Sequence, residues 1–393
     1  MTTTSQVPAL PIDRTDPFGP PAELMQWQRA APVRRLRYPD GHVGWLVTGY
    51  AEARAVLADP RFSVRPELAH SPTSTTTGLT VPPGFFLRMD PPRHARYRRL
   101  LTGAFTVHRM RALVPRIATI VDEQLDAMAA LGGAADLVTA FALPVPSLLI
   151  CELLEIPYDD RARFQRDAAT ILTIDAAPRA RADAFADLTA YLTGWAESAL
   201  RQPSDGLLGG LAAEDLSTEE LTGMAMLLLI AGHETTANML GLGTFAVLQD
   251  ARQRAALVGA DDWAAALAVE ELLRHLSVIS IVVRAALTDV EVAGHTVRAG
   301  ETVTVSLAAA NRDPEQFPDG DRLDLAHGAH GQLAFGHGIH QCLGQQLARL
   351  EMRAAFPALF RRFPGLRLAV PPEEVPMRSN MAVYGVHSLP VEW

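Results

Sequence analysis

The sequence predicts a mainly α fold with a small β region. Apolar residues recur at three- and four-residue spacing through most of 93–259, the mark of helices that bury one face. Short alternating runs broken by Gly294 and Gly300 at 283–305 mark a small sheet. No internal repeat and no low-complexity linker divides the chain, so 1–393 reads as a single domain. Its β-rich parts are expected near 30–60, 283–310 and 376–393, and its helical body at 93–275 and 343–363.

Taken in order, Trp45-Leu46-Val47-Thr48 reads as a strand that passes through Gly49 into a short helix at 51–58, ended by Asp59-Pro60. The stretch 66–84 is rich in Pro, Ser, Thr and Gly without apolar period. Loops that long in compact proteins are usually lids or binding elements, which makes it a candidate substrate gate. Helical spacing is clearest at 113–130, 182–200 and 218–249. After the small sheet comes a glycine-rich coil, a helix at 343–363 and a strand-like Val383-Tyr384-Gly385-Val386.

With 393 residues, 48% apolar and 20% charged, the chain can bury a large core and is not disordered. Acidic residues outnumber basic ones, 44 to 35, which excludes a nucleic-acid-binding surface over the whole protein. The start, Met1-Thr2-Thr3-Thr4-Ser5, has neither the basic segment nor the apolar run of a signal peptide. The longest apolar stretch, 224–231, is far below a membrane span, so a cytoplasmic protein without a membrane anchor is expected. Two cysteines cannot make a disulfide framework. Cys151, inside Leu148-Leu149-Ile150-Cys151-Glu152-Leu153-Leu154, reads as a buried inert thiol.

Cys342 is different. In Leu333-Ala334-Phe335-Gly336-His337-Gly338-Ile339-His340-Gln341-Cys342-Leu343-Gly344 it stands immediately before a helix, behind a glycine-rich coil. Unpaired N–H groups at a helix start favour an anion, so this sulfur is expected to ionise more readily than a free thiol. A metal ligand or a nucleophile follows, and a structural thiol is the bland alternative. Gly336, Gly338 and Gly344 suit a backbone that runs against a flat cofactor or takes positive φ. His327, His330, His337, His340 and Cys342 also form a His-rich tract that could hold zinc, although the spacing is irregular and no second cluster exists.

The same segment closely resembles the haem-binding loop of the cytochrome P-450 family, Phe-Gly-x-Gly-x-His/Arg-x-Cys-x-Gly, with every fixed position matched. The resemblance implies that fold, with haem b (iron protoporphyrin IX) buried between the long central helix and the Cys-loop helix. Cys342 would be the proximal thiolate, a ligand that pushes electron density through iron and favours O–O cleavage. Phe335, Gly336 and Gly344 would shape the haem cradle and His340 would reach a propionate.

Other segments match in the right order. Ala231-Gly232-His233-Glu234-Thr235-Thr236 resembles the family's oxygen-activation segment, in which a small pair, Ala231 and Gly232, opens the helix beside the haem. Glycine there costs about 1 kcal/mol against alanine, so it asks for a reason. By resemblance Thr235 and Glu234 are catalytic, Thr235 holding distal water and oxygen and Glu234 relaying protons. Alone, the hexapeptide could decorate a solvated turn. Glu271-Leu272-Leu273-Arg274 spaces an ion pair three apart, and by resemblance these two form a buried structural network with Arg322. His94 and Arg98, four apart on one helix face, resemble the propionate anchor, and Arg284 matches a further one. Two departures are visible: His327 and Gln332 stand where many relatives carry Arg and His between Leu325 and Phe335.

Arg93, Arg96 and Arg99 form a stripe in a chain of negative net charge, which implies an acidic partner. By resemblance that partner is a ferredoxin supplied by an NAD(P)H-dependent ferredoxin reductase. The resemblance also implies a pocket lined by Leu79, Val81, Phe85, Ile230, Val278, Ile279, Val282, Met381 and Ala382, mostly apolar and fit for a lipophilic substrate. The expected reaction is monooxygenation: one atom of O2 enters an unactivated C–H bond and the other leaves as water. A polyketide, macrolide or terpenoid secondary metabolite is the first expectation for the substrate, a xenobiotic or fatty acid the second. A peroxide-dependent haem-thiolate enzyme and a non-enzymatic haem carrier or sensor are the rival readings.

Overall fold

The structure, a computed structural model, describes residues 7–75, 82–202, 204 and 206–393. Segments from distant parts of the chain meet in a five-stranded sheet. Val33–Arg37 pairs antiparallel with Val43–Val47, and that strand pairs parallel with Thr302–Ser306. Ile281–Ala286 lies antiparallel on the far side, with the short Phe62–Ser63 at the edge. The central pair is dry, since Leu46, Val47, Val303 and Val305 are all 0% exposed. Val290–Val292 and His295–Val297 close a separate hairpin through Ala293 and Gly294, both at positive φ, as a two-residue turn between right-twisted strands requires.

The helical body turns around Thr218–Leu248, which starts at a capping box formed by Ser217 and Glu220. Between positions 221 and 247 every residue is buried except Ala231, Gly232 and Thr235. A helix apolar on all sides must be wrapped by others. Pro144–Leu153, Pro178–Arg201 and Gln345–Arg362 all pack on it. One apolar cluster runs from its C-terminal half into Val114–Ala129, Asp262–Leu276 and Gln345–Arg362. A second runs from its N-terminal half, through Ile230, to Tyr97, Leu101 and Ile150.

Two expectations change. The run 383–386 is not a strand: Val386 makes only an isolated bridge to Met377. The N–H groups go elsewhere, that of Tyr384 within the run to the Val278 carbonyl and that of Ala382 just before it to the Leu172 carbonyl. The terminal strand is Pro390–Glu392, paired with Ala134–Asp136 and Arg367–Leu368. Of the candidate gate 66–84, positions 76–81 lie outside the described residues. Its described flank is tied to the sheet: the His70 N–H donates to Thr302 Oγ1, and its ring stacks on His42 with centroids 3.8 Å apart. Among the described residues no helix is long and apolar enough to cross a membrane.

Candidate active site

The coil before Cys342 is held by a chain of buried groups. Arg274 grips Glu271 with two N–H groups at 2.7 and 2.8 Å and donates to the main-chain carbonyls of Asn311, Gly320 and Arg322. The Asn311 side chain then accepts the N–H of Leu333 at 2.6 Å, where the coil begins. Arg322 therefore joins through its carbonyl only; its own guanidinium is 60% exposed and pairs with Asp324. That corrects the expected side-chain triad, and Asn311 is the member that sequence reasoning missed. Gln332 ties the coil to Glu270: its Oε1 accepts the Ala334 N–H at 2.6 Å, and its Nε2 donates to Glu270 beside the Arg349–Glu270 ion pair.

Within the coil, Gly336 and Gly338 take φ of 70° and 74°. At Gly338 any side chain would also meet the Leu57 carbonyl, 2.4 Å from where a Cβ would stand. The Cys342 N–H closes the loop onto the Phe335 carbonyl, and Arg349 lies over the Phe335 ring, 4.5 Å from its centroid. The sulfur receives the N–H groups of Gly344 and Gln345 and feels Arg98 and Arg349, yet burial outweighs all four and pushes the thiol up from its ordinary value. With no cation at the sulfur the expected easy ionisation is not met, because desolvation of this half-buried residue outweighs the help of the helix start. A cation at sulfur would restore the thiolate. Cys151 is buried in the second cluster, its thiol raised to about 12 by burial.

Beside Cys342 lies a set of cations in search of an anion. His94 and His340 stand with ring centroids 4.2 Å apart, and His94 Nε2 and His340 Nδ1 are buried without partners. Burial, then His94, Arg284 and Arg98, drives His340 down to about 3. Arg284 is buried, donates only to the carbonyl of its neighbour Val283, and is pushed down to about 10 by burial and then by Arg88. Arg88 is the cation that sequence reasoning missed: it sits on a single turn, Phe86–Arg88, with no periodicity to mark it. Desolvated donors with like-charged neighbours suit a ligand carrying two carboxylates.

On the central helix, the three unburied positions Ala231, Gly232 and Thr235 make one turn that faces open space. The helix stays α-helical there rather than opening, even though the Thr235 hydroxyl donates to the Ala231 carbonyl at 2.9 Å, a contact that tends to bend helices. Gly232 has a packing reason: a Cβ would stand 2.8 Å from Ile150 Cδ1. Glu234 points away from that turn's open side. Its carboxylate accepts from Arg378 at 2.9 Å and from Asn238 at 3.4 Å, and His233 Nε2 stands 3.7 Å off. Arg378 also escaped the sequence reading.

Of the expected pocket residues, Leu79 and Val81 lie outside the described residues. Ile230, Val278 and Met381 are buried, Phe85, Ile279 and Val282 half-buried and Ala382 exposed. The structure brings the segments 278–282 and 381–384 together through the Tyr384–Val278 bond, beside the helix Arg161–Leu172. In the arginine stripe, Arg96 is occupied by Glu220 and by the Asp215 carbonyl, while Arg93 and Arg99 stay exposed. Among the described residues no group of three or more His, Cys, Asp or Glu could hold a metal ion, so the zinc alternative has no donor set.

Comparison with known proteins decides the family. The chain is 49% identical to cytochrome P450 105C1 of a Streptomyces species over 383 residues, 97% of each chain. It belongs to the cytochrome P450 family. The family's profile matches residues 266–391. Of solved structures, that of CYP105P1 in complex with filipin I has a TM-score of 0.94 at 42% identity, covering 98% of this chain and 99% of that one. The mycinamicin VIII C21 methyl hydroxylase MycCI of Micromonospora griseorubida, bound to mycinamicin VIII, has a TM-score of 0.92 at 36% identity, covering 98% and 100%. As a cytochrome P450 the chain is a haem monooxygenase that takes O2, a small-molecule substrate and electrons from a redox partner. The residues present fit haem, since the orphaned nitrogens of His94 and His340 and the unneutralised guanidiniums await carboxylates, and a thiol awaits a metal.

Proposed function

We propose that this P450 hydroxylates a lipophilic secondary metabolite, with a macrolide or other polyketide ahead of a terpenoid, and that a ferredoxin supplies the two electrons. The observation that carries the reading is the unneutralised cation set beside Cys342, together with one unburied turn on an otherwise buried apolar helix. Haem b fits best: the second cysteine, Cys151, is buried in another cluster, so there is no cysteine pair to attach a haem covalently. Bound haem supplies the oxygen chemistry.

The chain's own residues do the rest. Cys342 holds the metal, with Phe335, Gly336, Gly338 and Gly344 shaping its loop and Glu271, Arg274 and Asn311 bracing it. His94, Arg98, Arg284 and His340, joined by Arg88, take the two carboxylates. Thr235 spends its proton on the Ala231 carbonyl, which leaves its oxygen lone pairs to orient a distal proton donor, and Glu234 relays protons to that turn. The apolar side chains of Phe85, Ile230, Val278, Ile279, Val282 and Met381 exclude water from a lipophilic substrate. Arg93 and Arg99 offer an acidic ferredoxin its docking charges, and an NAD(P)H-driven reductase behind it places the working protein in the cytoplasm.

The test is the absorption spectrum of the reduced protein under carbon monoxide, in the parent and in Cys342→Ser, followed by spectral titration with macrolides, terpenoids and fatty acids. A red-shifted Soret band lost in Cys342→Ser, with a macrolide giving the tightest shift and a hydroxylated product under ferredoxin, supports the reading. A band that survives Cys342→Ser, or peroxide-driven turnover above ferredoxin-driven turnover, overturns it.

A further inference from the structure

His233 is the ionisable residue of the Ala231-to-Thr236 segment to which this reaction assigns no task. It is fully buried, and its Nδ1 lies 2.6 Å from the Leu229 carbonyl. A carbonyl only accepts, so the ring proton is on Nδ1 and Nε2 carries a lone pair. That lone pair has no hydrogen-bond partner and faces Glu234 Oε1 at 3.7 Å. An acceptor nitrogen and a carboxylate oxygen satisfy each other only when a proton stands between them. The other oxygen, Oε2, takes an N–H from Arg378 at 2.9 Å, which favours the ionised carboxylate. Glu234 therefore sits between one partner that suits its charged form and one that suits its protonated form.

We propose that His233 is a positioning residue that holds the proton of Glu234: the protonated carboxyl donates from Oε1 to Nε2, and the carboxylate left after proton delivery returns to Arg378. Only the carboxyl O–H bond is broken and remade; the imidazole stays neutral, and solvent supplies the next proton. This rests on the reading of Glu234 as a proton relay.

The surroundings agree. Burial drives His233 down from its ordinary value, with Glu234 opposing and Arg378 reinforcing. The helix Arg161–Leu172 presents the Phe164 ring to it edge-on, centroids 5.7 Å apart. One turn further on, that helix's buried Asp167 gives Oδ1 to Arg166, while its Oδ2 is buried without a hydrogen-bond partner. The C-terminal segment contributes Arg378, whose charge also acts on His387, and the central helix adds only Asn238 beside Glu234.

The experiment uses the haem-loaded full chain with a surrogate ferredoxin and reductase and no added substrate. It measures, across pH, the share of O2 returned as peroxide rather than as water. His233→Phe removes the acceptor and His233→Gln keeps one. Expected are a several-fold higher peroxide share and a profile moved to lower pH by about one unit in His233→Phe, with His233→Gln close to the parent. His233→Leu carries the same expectation should the phenyl ring prevent folding. A His233→Phe profile that overlays the parent, or one that His233→Gln shares, overturns the proposal. Glu234→Gln separates the two readings: if it overlays the parent, the relay itself fails; if it is altered while His233→Phe is not, only the role of His233 fails.

Discussion

Arg378 donates to Glu234 across 2.9 Å although the two stand 144 positions apart in the chain, and both side chains are nearly dry. Removing one partner of such a pair strands the other as a buried charge. Arg378→Ala is expected to cost about 3–5 kcal/mol in urea unfolding of the haem-loaded protein, whereas Arg378→Lys keeps the charge and loses less. Equal losses would mean that the guanidinium acts by packing alone.

The Glu271–Arg274 pair and Arg322 should behave oppositely. Glu271→Ala leaves Arg274 buried and unpaired, for a loss of about 3–5 kcal/mol together with weaker haem retention. Arg322→Ala keeps the carbonyl that Arg274 uses and removes only an exposed side chain, so a change within about 0.5 kcal/mol is expected. Thermal unfolding and haem transfer to an acceptor protein measure both.

Gly338→Ala sets a Cβ against the Leu57 carbonyl and forces an L side chain to φ 74°. A destabilisation of at least about 1–2 kcal/mol is expected. In the haem-free chain Gly344→Ala should be near neutral, because its φ is −82° and no protein atom stands within 4 Å of the added carbon. Circular dichroism melts of the two variants give the comparison.

Haem-free protein should be acid-sensitive. His340 is held down to about 3 from an ordinary 6.5, so the unfolded chain binds its proton first as pH falls. The stability that the neutral ring contributes is complete above about pH 6.5 and is lost as pH drops toward 3. His340→Gln should flatten that slope in denaturant titrations at stepped pH, and haem, by supplying carboxylates, should flatten it in the parent as well.

Arg96 is a poor reporter of partner docking, because it is tied to Glu220. Arg96→Glu sets two carboxylates together and should lower thermal stability, while Arg99→Glu should leave stability unchanged and slow reduction by ferredoxin at low salt. Reduction kinetics insensitive to Arg99→Glu and to salt would remove this face as the docking site.

Much of this was legible beforehand because it is local. Thr218–Leu248 is written as a long apolar stretch opened by a capping box, Gln345–Arg362 as apolar periodicity, and the turn from Phe335 to Gly344 as glycines around one cysteine. Arg88, Asn311 and Arg378 escaped because nothing in their own neighbourhoods marks them; each matters through a partner that only folding brings near. The run 383–386 misled because a strand's alternation says nothing about which groups take its N–H bonds.

The sequence by itself determined the helices, the cysteine loop and the family, since those depend on side-chain period and on residues spaced within one turn or coil. Tertiary structure alone decided the electrostatics: that Cys342 is raised rather than lowered, that Arg322 contributes a carbonyl, and that Glu234 lies between Arg378 and His233. Ionisation follows from desolvation and from charges a few ångströms away, and neither is defined until remote segments pack together.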